Sequence, residues 1–196
     1  WSSQMNQYLQ STDIIDWKTP QVRAKAKKIA QGLDSPEEIA RKCFEYVRDE
    51  IKHSWDFKLN PITCAASEVL GHGTGYCYAK SHLLAALLRA NNIPAGLCYQ
   101  RLIASDDGSV YCLHGLNAVY LEPYGWYRVD PRGNKPGVSA AFTPPNEVLA
   151  FPITQQGEAD LPEIWPEPLK PVVEVLSRYA TYDTVAAHLP DVELMD

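Results

Sequence analysis

"GHGTGYCYAKSHLLAALLRANNIPAG", residues 71–96, decides how this chain is read. A small-residue loop runs into Cys77, and from there Leu83, Leu84, Leu87 and Leu88 recur among Ala79, Ala85, Ala86 and Ala90. Apolar side chains nearly all round predict a helix buried on several sides. It ends at Asn91-Asn92, because Pro94 cannot continue it. A thiol therefore stands at the first position of a core helix. Backbone N–H groups there lack intrahelical acceptors, and the helix presents its positive end. Both favour the thiolate, the nucleophilic form of cysteine. Gly73 and Gly75 permit tight backbone geometry and leave room for a substrate carbonyl, with the Cys77 N–H as one oxyanion donor. Gly75 and Tyr76 are thus candidate substrate-contacting residues. The bland alternative is a buried cysteine at an ordinary loop-to-helix junction.

Upstream, Pro20 opens a helix that runs to about Gln31 and stops at Gly32. In "DSPEEIARKCFEYVRDEI" Ser35 is the N-cap, Pro36 the first helical residue, and Glu37 and Glu38 fill the first turn. Ile39, Cys43, Tyr46, Val47 and Ile51 make one apolar stripe, so Cys43 reads as a small core residue. "CAASEVLGHG" reads as a short helix stopped by Gly71. Downstream, "AGLCYQRLI", "VYCLHGLNAVYLE" and "GWYRVD" are rich in aromatic and branched residues and separated by turn signals, which predicts an antiparallel meander. After Asp130 the chain is Pro- and Gly-rich and reads as a surface wrap, with a last helix near residues 171–179 and further turns to His188. Helices first and strands second give an α+β fold, a central helix packed on an antiparallel sheet. The expected organisation is a lead-in at 1–19, a catalytic core at 20–134, and a Pro-rich extension at 135–196 packed on the same domain. Residues 1–4 precede Met5, which is read as the natural start; a processed N-terminus gives the same pattern.

The 196 residues suit one domain with a real core. With a net charge of −6 and no dense Lys/Arg cluster, nucleic-acid and anionic-membrane partners have no electrostatic basis. "RAKAKK" (23–28) has helical spacing and reads as a solvated face. No apolar run approaches the roughly 20 residues of a membrane span, and no secretory-signal pattern is visible. Five cysteines without a C-x-x-C pair argue against a zinc ribbon and a disulfide framework, and fit a reducing, cytoplasmic setting. Metal-binding and phosphate-loop patterns are missing, and Lys80 stands at the wrong offset for a Walker lysine. No metal or other cofactor is expected.

Two partners raise the weight of Cys77. His114 lies in a strand pattern and is followed by Gly115, which leaves space beside the imidazole. Asp130 ends the next strand in "WYRVDP". A hairpin turning through Pro123 to Gly125 makes these strands neighbours. Symmetric pairing sets residue 130 opposite about 118, so the register must be offset or the side chains must reach diagonally. Triad logic then assigns attack to Cys77, proton shuttling to His114, and orientation of the imidazole to Asp130.

In three ordered blocks the chain resembles the transglutaminase-like superfamily, the papain-fold Cys-His-Asp enzymes. They are "GTGYCYAKSHLLAALLRANNIPAG", "LHGLNAVYL" and "GWYRVDPRGN". The first is similar to the family's glycine–cysteine–helix block and the third to its Gly-Trp…Asp-Pro block. The 37- and 16-residue spacings of Cys77, His114 and Asp130 are usual for compact bacterial members. "YVRDEIKHSWDF" resembles the helix and extended stretch upstream of the family's cysteine. The resemblance covers about residues 36–134 and implies acyl transfer from an amide in a peptide or protein substrate, through a thioester. Hydrolysis is favoured over transfer to an amine, since the sandwich domains and acidic calcium loops of animal transglutaminases are missing. Trp55 is a candidate second oxyanion donor, by analogy with an upstream aromatic in those enzymes. One departure is Gly115-Leu116 where many relatives carry Ala-Trp or a similar pair, with polar Asn117 just beyond. A non-catalytic peptide- or protein-binding module is the alternative, and arylamine N-acyl transfer a weaker third.

Overall fold

A computed structural model describes residues 1–192 and Leu194; the last few positions of the expected extension, Glu193, Met195 and Asp196, lie outside the described residues. The chain opens with α1 (Ser3–Asn6), a 3-10 turn (Gln7–Leu9), α2 (Pro20–Ala30) and α3 (Pro36–Glu50). Proline occupies the first turn of α2 and α3, where its missing N–H costs nothing, and the Ser35 hydroxyl accepts from the Glu38 N–H at 3.4 Å to cap α3. Then come β1 (Lys52–His53), α4 (Ser54–Phe57), α5 (Ala66–His72), β2 (Thr74–Gly75) and α6 (Cys77–Ala90). Helix α5 runs through Gly71, against expectation, and closes at Gly73. The chain must turn sharply there into β2, and Gly73 alone supplies the left-handed φ of +68°.

The meander forms as the alternation predicts: β3 (Ala95–Ile103), β4 (Tyr111–Leu121) and β5 (Gly125–Val129). Gly125 pairs with Leu121 and Val129 with Asn117. The turn at 122–124, entering a Gly125 of φ +76°, thus offsets the register by two, and Asp130 falls past Leu116 rather than 118. After Asp130 come a small hairpin of β6 (Ala141–Thr143) and β7 (Asn146–Val148), β8 (Ala159–Asp160), α7 (Lys170–Arg178) and α8 (Tyr182–Ala186). The last helical stretch is thus broken: Tyr179 is extended, and α8 starts afresh at Thr181. Strand β8 joins the main sheet, whose order is β5-β4-β3-β8.

Helix α6 is the centre of the molecule. Leu83, Leu84, Leu87 and Leu88 are buried, each worth roughly 2 kcal/mol of transfer free energy. The helix packs on β3 and β4 along one side and on α2, α3 and α5 along the others. At its C-terminal end the buried Arg89 guanidinium donates to the carbonyls of Gln10, Ala95 and Pro166 at 2.7–3.1 Å. One side chain thereby joins the N-terminal lead-in, the sheet and the C-terminal segment. At Gly96 a side chain is impossible because Ile164 crosses the strand there; its Cγ2 would lie 2.4 Å from a Cβ. Among the described residues no helix is long and apolar enough to cross a membrane.

Candidate active site

Cys77 is the first residue of α6, and Tyr76 precedes it in extended conformation without a side-chain cap. Strand β4 brings its backbone to the helix start: the Gly115 N–H points to Cys77 Sγ at 3.4 Å. This approach explains "HGLN". A Cβ at Gly115 would lie 3.0 Å from Tyr78 Cδ1 and 3.2 Å from its Cα, so the space expected beside the imidazole is filled by the first turn of α6. Asn117 also joins helix to sheet, donating from Nδ2 to the Ser81 carbonyl at 2.9 Å and the Gly96 carbonyl at 3.2 Å.

His114 lies beside Cys77, within hydrogen-bond reach. Its Nε2 meets Asp130 Oδ2 at 2.7 Å, which leaves Nδ1 as the ring nitrogen for the thiol. Asp130 is buried and held by backbone donors as well: Oδ2 accepts from the Ala150 N–H at 3.1 Å and Oδ1 from the Arg132 N–H at 3.3 Å. The carboxylate thus reaches diagonally from beyond Leu116 to residue 114. Burial alone pulls the His114 pKa down, but the negative charges of Asp130 and Cys77 outweigh it and hold the pKa up, at about 10. The Phe151 and His114 rings meet in a T-shaped arrangement with centroids 5.0 Å apart.

The structure adds a group to which the sequence assigned no partner. His53 pairs with Gly75 in the parallel β1–β2 contact and is buried in the same cleft as Cys77. Its Nδ1 accepts from the Trp55 N–H at 3.2 Å, which leaves the hydrogen on Nε2. Burial and then the nearby Arg132 charge hold its pKa well below the ordinary 6.5, so the ring is neutral. Arg132 binds Asp56 through two bonds of 2.7 and 3.0 Å, with Lys135 on the same carboxylate at 3.0 Å. These ion pairs tie the loop after Asp130 to α4, beside His53.

The other candidate positions fall as follows. A Cβ at Gly75 would meet Ala79 Cβ at 3.0 Å and Thr63 Oγ1 at 3.1 Å, so this glycine is packed tightly against the start of α6. Tyr76 lies edge-on to His53 and bonds the Tyr182 carbonyl through its hydroxyl. Trp55 is 48% exposed at the rim, with its ring against Tyr182. Trp55 and Tyr76, with Cys77, His114, Leu102 and Leu189, line a cleft of about 620 Å³. Burial pushes Cys43, Cys64, Cys98 and Cys112 up to about 12. Among the described residues no group of three or more His, Cys, Asp or Glu side chains is placed to hold a metal ion.

The architecture is α+β with a papain-like core: a cysteine at the head of a buried helix, and a histidine–carboxylate pair on the antiparallel sheet beside it. Residues 23–131 match the family model described as the transglutaminase-like superfamily, and the chain belongs to that superfamily. Two solved structures share the fold. A candidate cysteine protease from Cytophaga hutchinsonii is 14% identical, with a TM-score of 0.54 over 67% of this chain and 43% of that one. The periplasmic domain of TgpA from Pseudomonas aeruginosa is 21% identical, with a TM-score of 0.50 over 65% of this chain and 46% of that one. The chain thus spans less than half the length of either. No curated protein matches it.

Proposed function

We propose that the chain catalyses acyl transfer from an amide or peptide through a thioester on Cys77. The observation that carries this reading is the buried chain of contacts from Cys77 through His114 to Asp130. With the proton on His114, the Cys77 sulfur attacks the carbonyl carbon as a thiolate. The carbonyl π pair moves to oxygen, which lies at the head of α6 and faces the Cys77 N–H. His53, neutral and donating through Nε2, is the second group we assign to that oxygen, in place of the exposed Trp55. Collapse of the intermediate expels the amine, which takes its proton from His114 Nδ1. The acyl group remains on sulfur. Water then attacks the thioester carbon while His114 accepts its proton, and collapse of this second intermediate breaks the C–S bond, releasing the carboxylic acid and leaving the Cys77 thiolate beside protonated His114. Asp130 fixes the ring so that Nδ1 faces the sulfur in every step.

Hydrolysis is favoured over transfer to an amine because the cleft mouth lies open to water between exposed Trp55, Pro152 and Thr154. The reading is tested by alkylation with iodoacetamide across pH, with each thiol followed by mass spectrometry. Cys77 reacts at neutral pH faster than the other four thiols, which their pKa of about 12 keeps protonated, and His114→Ala slows it by about 10²-fold. A Cys77 no faster than an ordinary thiol and indifferent to His114 leaves the binding-module alternative.

A further inference from the structure

Strand β4 runs from Tyr111 to Leu121, but β5 covers only 117–121. The stretch 111–116 therefore has no partner strand on the side that faces the head of α6. The Gly115 N–H on that edge meets Cys77 Sγ, and the Leu113 carbonyl accepts from the Tyr78 hydroxyl. The Leu113 N–H, one residue from His114, is taken by the chain itself: it donates to the Pro190 carbonyl at 2.8 Å. The segment carrying Pro190 is held at other points as well, including the His188 ring stacked on Tyr179. Leu189 lines the cleft that contains Cys77, and Asp191 makes a bidentate pair with Arg101, with both bonds at 2.8 Å. An open strand edge is a ready template for an extended chain, with main-chain bonds supplying affinity and side-chain pockets supplying choice.

We propose that this edge is the docking site for the acyl-donor peptide, and that residues 188–191 occupy it as a stand-in for substrate. The inference rests on the acyl-transfer reading and names its substrate class. That class is an extended peptide with an apolar side chain where Leu189 lies and, two residues on, a carboxylate on Arg101. Substrate enters by displacing the chain's own Leu189-Pro190-Asp191.

The test uses the full-length chain. Charge reversal in Asp191→Arg sets like charges against each other at Arg101 and releases the segment. The rate at which a bulky maleimide dye labels Cys77 rises about fivefold or more, while the iodoacetamide rate changes less than about twofold. The charge-swapped pair Arg101→Asp with Asp191→Arg restores the contact and returns dye labelling to its original rate. A synthetic peptide His-Leu-Pro-Asp-Val protects Cys77 in the Asp191→Arg protein, and its Asp→Ala form protects less. Dye labelling that is unchanged or slower in Asp191→Arg overturns the proposal, as does a peptide without effect. Either result can coexist with iodoacetamide reactivity that depends on His114, so the docking edge can fail while the acyl-transfer reading stands. The converse, peptide protection at a thiol indifferent to His114, sinks the acyl-transfer reading alone.

Discussion

At His114 burial and charge pull in opposite directions, and charge prevails. Desolvation disfavours the imidazolium, but Asp130 and Cys77 favour it more, so it persists up to about pH 10. Because the folded pKa lies above the ordinary 6.5, the pair's contribution to stability is fully present below that value and is lost as pH rises through about 10. Asp130→Asn removes the larger of the two opposing charges. The imidazolium then gives up its proton at lower pH and no longer holds the thiolate at neutral pH, so the acid limb of the Cys77 alkylation profile moves up and the neutral-pH rate falls by about 10²-fold. A pH–rate profile of the variant checks both. Cys77, His114 and Asp130 were legible because each sits in a patterned block of residues. His53 was not: it is recruited by a two-residue parallel contact with Gly75, which no local period announces.

Among the elements, α6 and the meander follow directly from periodicity. What periodicity missed were matters of one or two residues with geometric causes. Helix α5 ends at Gly73 because the left-handed turn is needed there and not at Gly71. The β4–β5 register is set by the three-residue turn, which moves Asp130 to within a diagonal reach of His114. Gly115, read as space beside the imidazole, and the polar Asn117 are where β4 meets the first two turns of α6. Arg89, at the other end of that helix, is a fork shared by three segments of chain. Arg89→Met leaves the Gln10, Ala95 and Pro166 carbonyls without this donor and is expected to cost roughly 3 kcal/mol. Urea unfolding measures that loss, while the alkylation rate of Cys77 in the folded variant stays near its original value.

Across the whole molecule, the segment after Asp130 does more than cover a surface. It supplies the Ala150 N–H that holds Asp130, the Phe151 ring beside His114, an edge strand for the main sheet, and the Leu189–Asp191 stretch at the cleft. None of this was legible in a Pro-rich sequence, whose contacts are set by where the rest of the chain folds rather than by any repeat of its own. Two other buried histidines contribute the opposite response, to acid. His82 is buried and hydrogen-bonded to the Cys64 carbonyl, and desolvation holds its pKa at about 4, while His53 is also held down by burial. As pH falls below the ordinary 6.5 the unfolded chain takes up these protons first, so stability drops steadily toward pH of about 4. Asp56, its carboxyl held low by Arg132 and Lys135 against the upward pull of burial, adds to the loss below its usual range. Thermal melts across this range should show the decline, and His82→Phe should flatten part of it.

Whether Cys77 takes up an acyl group is read by incubating the protein with p-nitrophenyl acetate and locating the adduct by peptide mass spectrometry. Acyl transfer through Cys77 gives a burst of one equivalent of nitrophenol and one acetyl group on Cys77, absent from Cys77→Ala and formed far more slowly in His114→Ala. Acetylation confined to lysines, or a Cys77 adduct formed equally fast without His114, would contradict it.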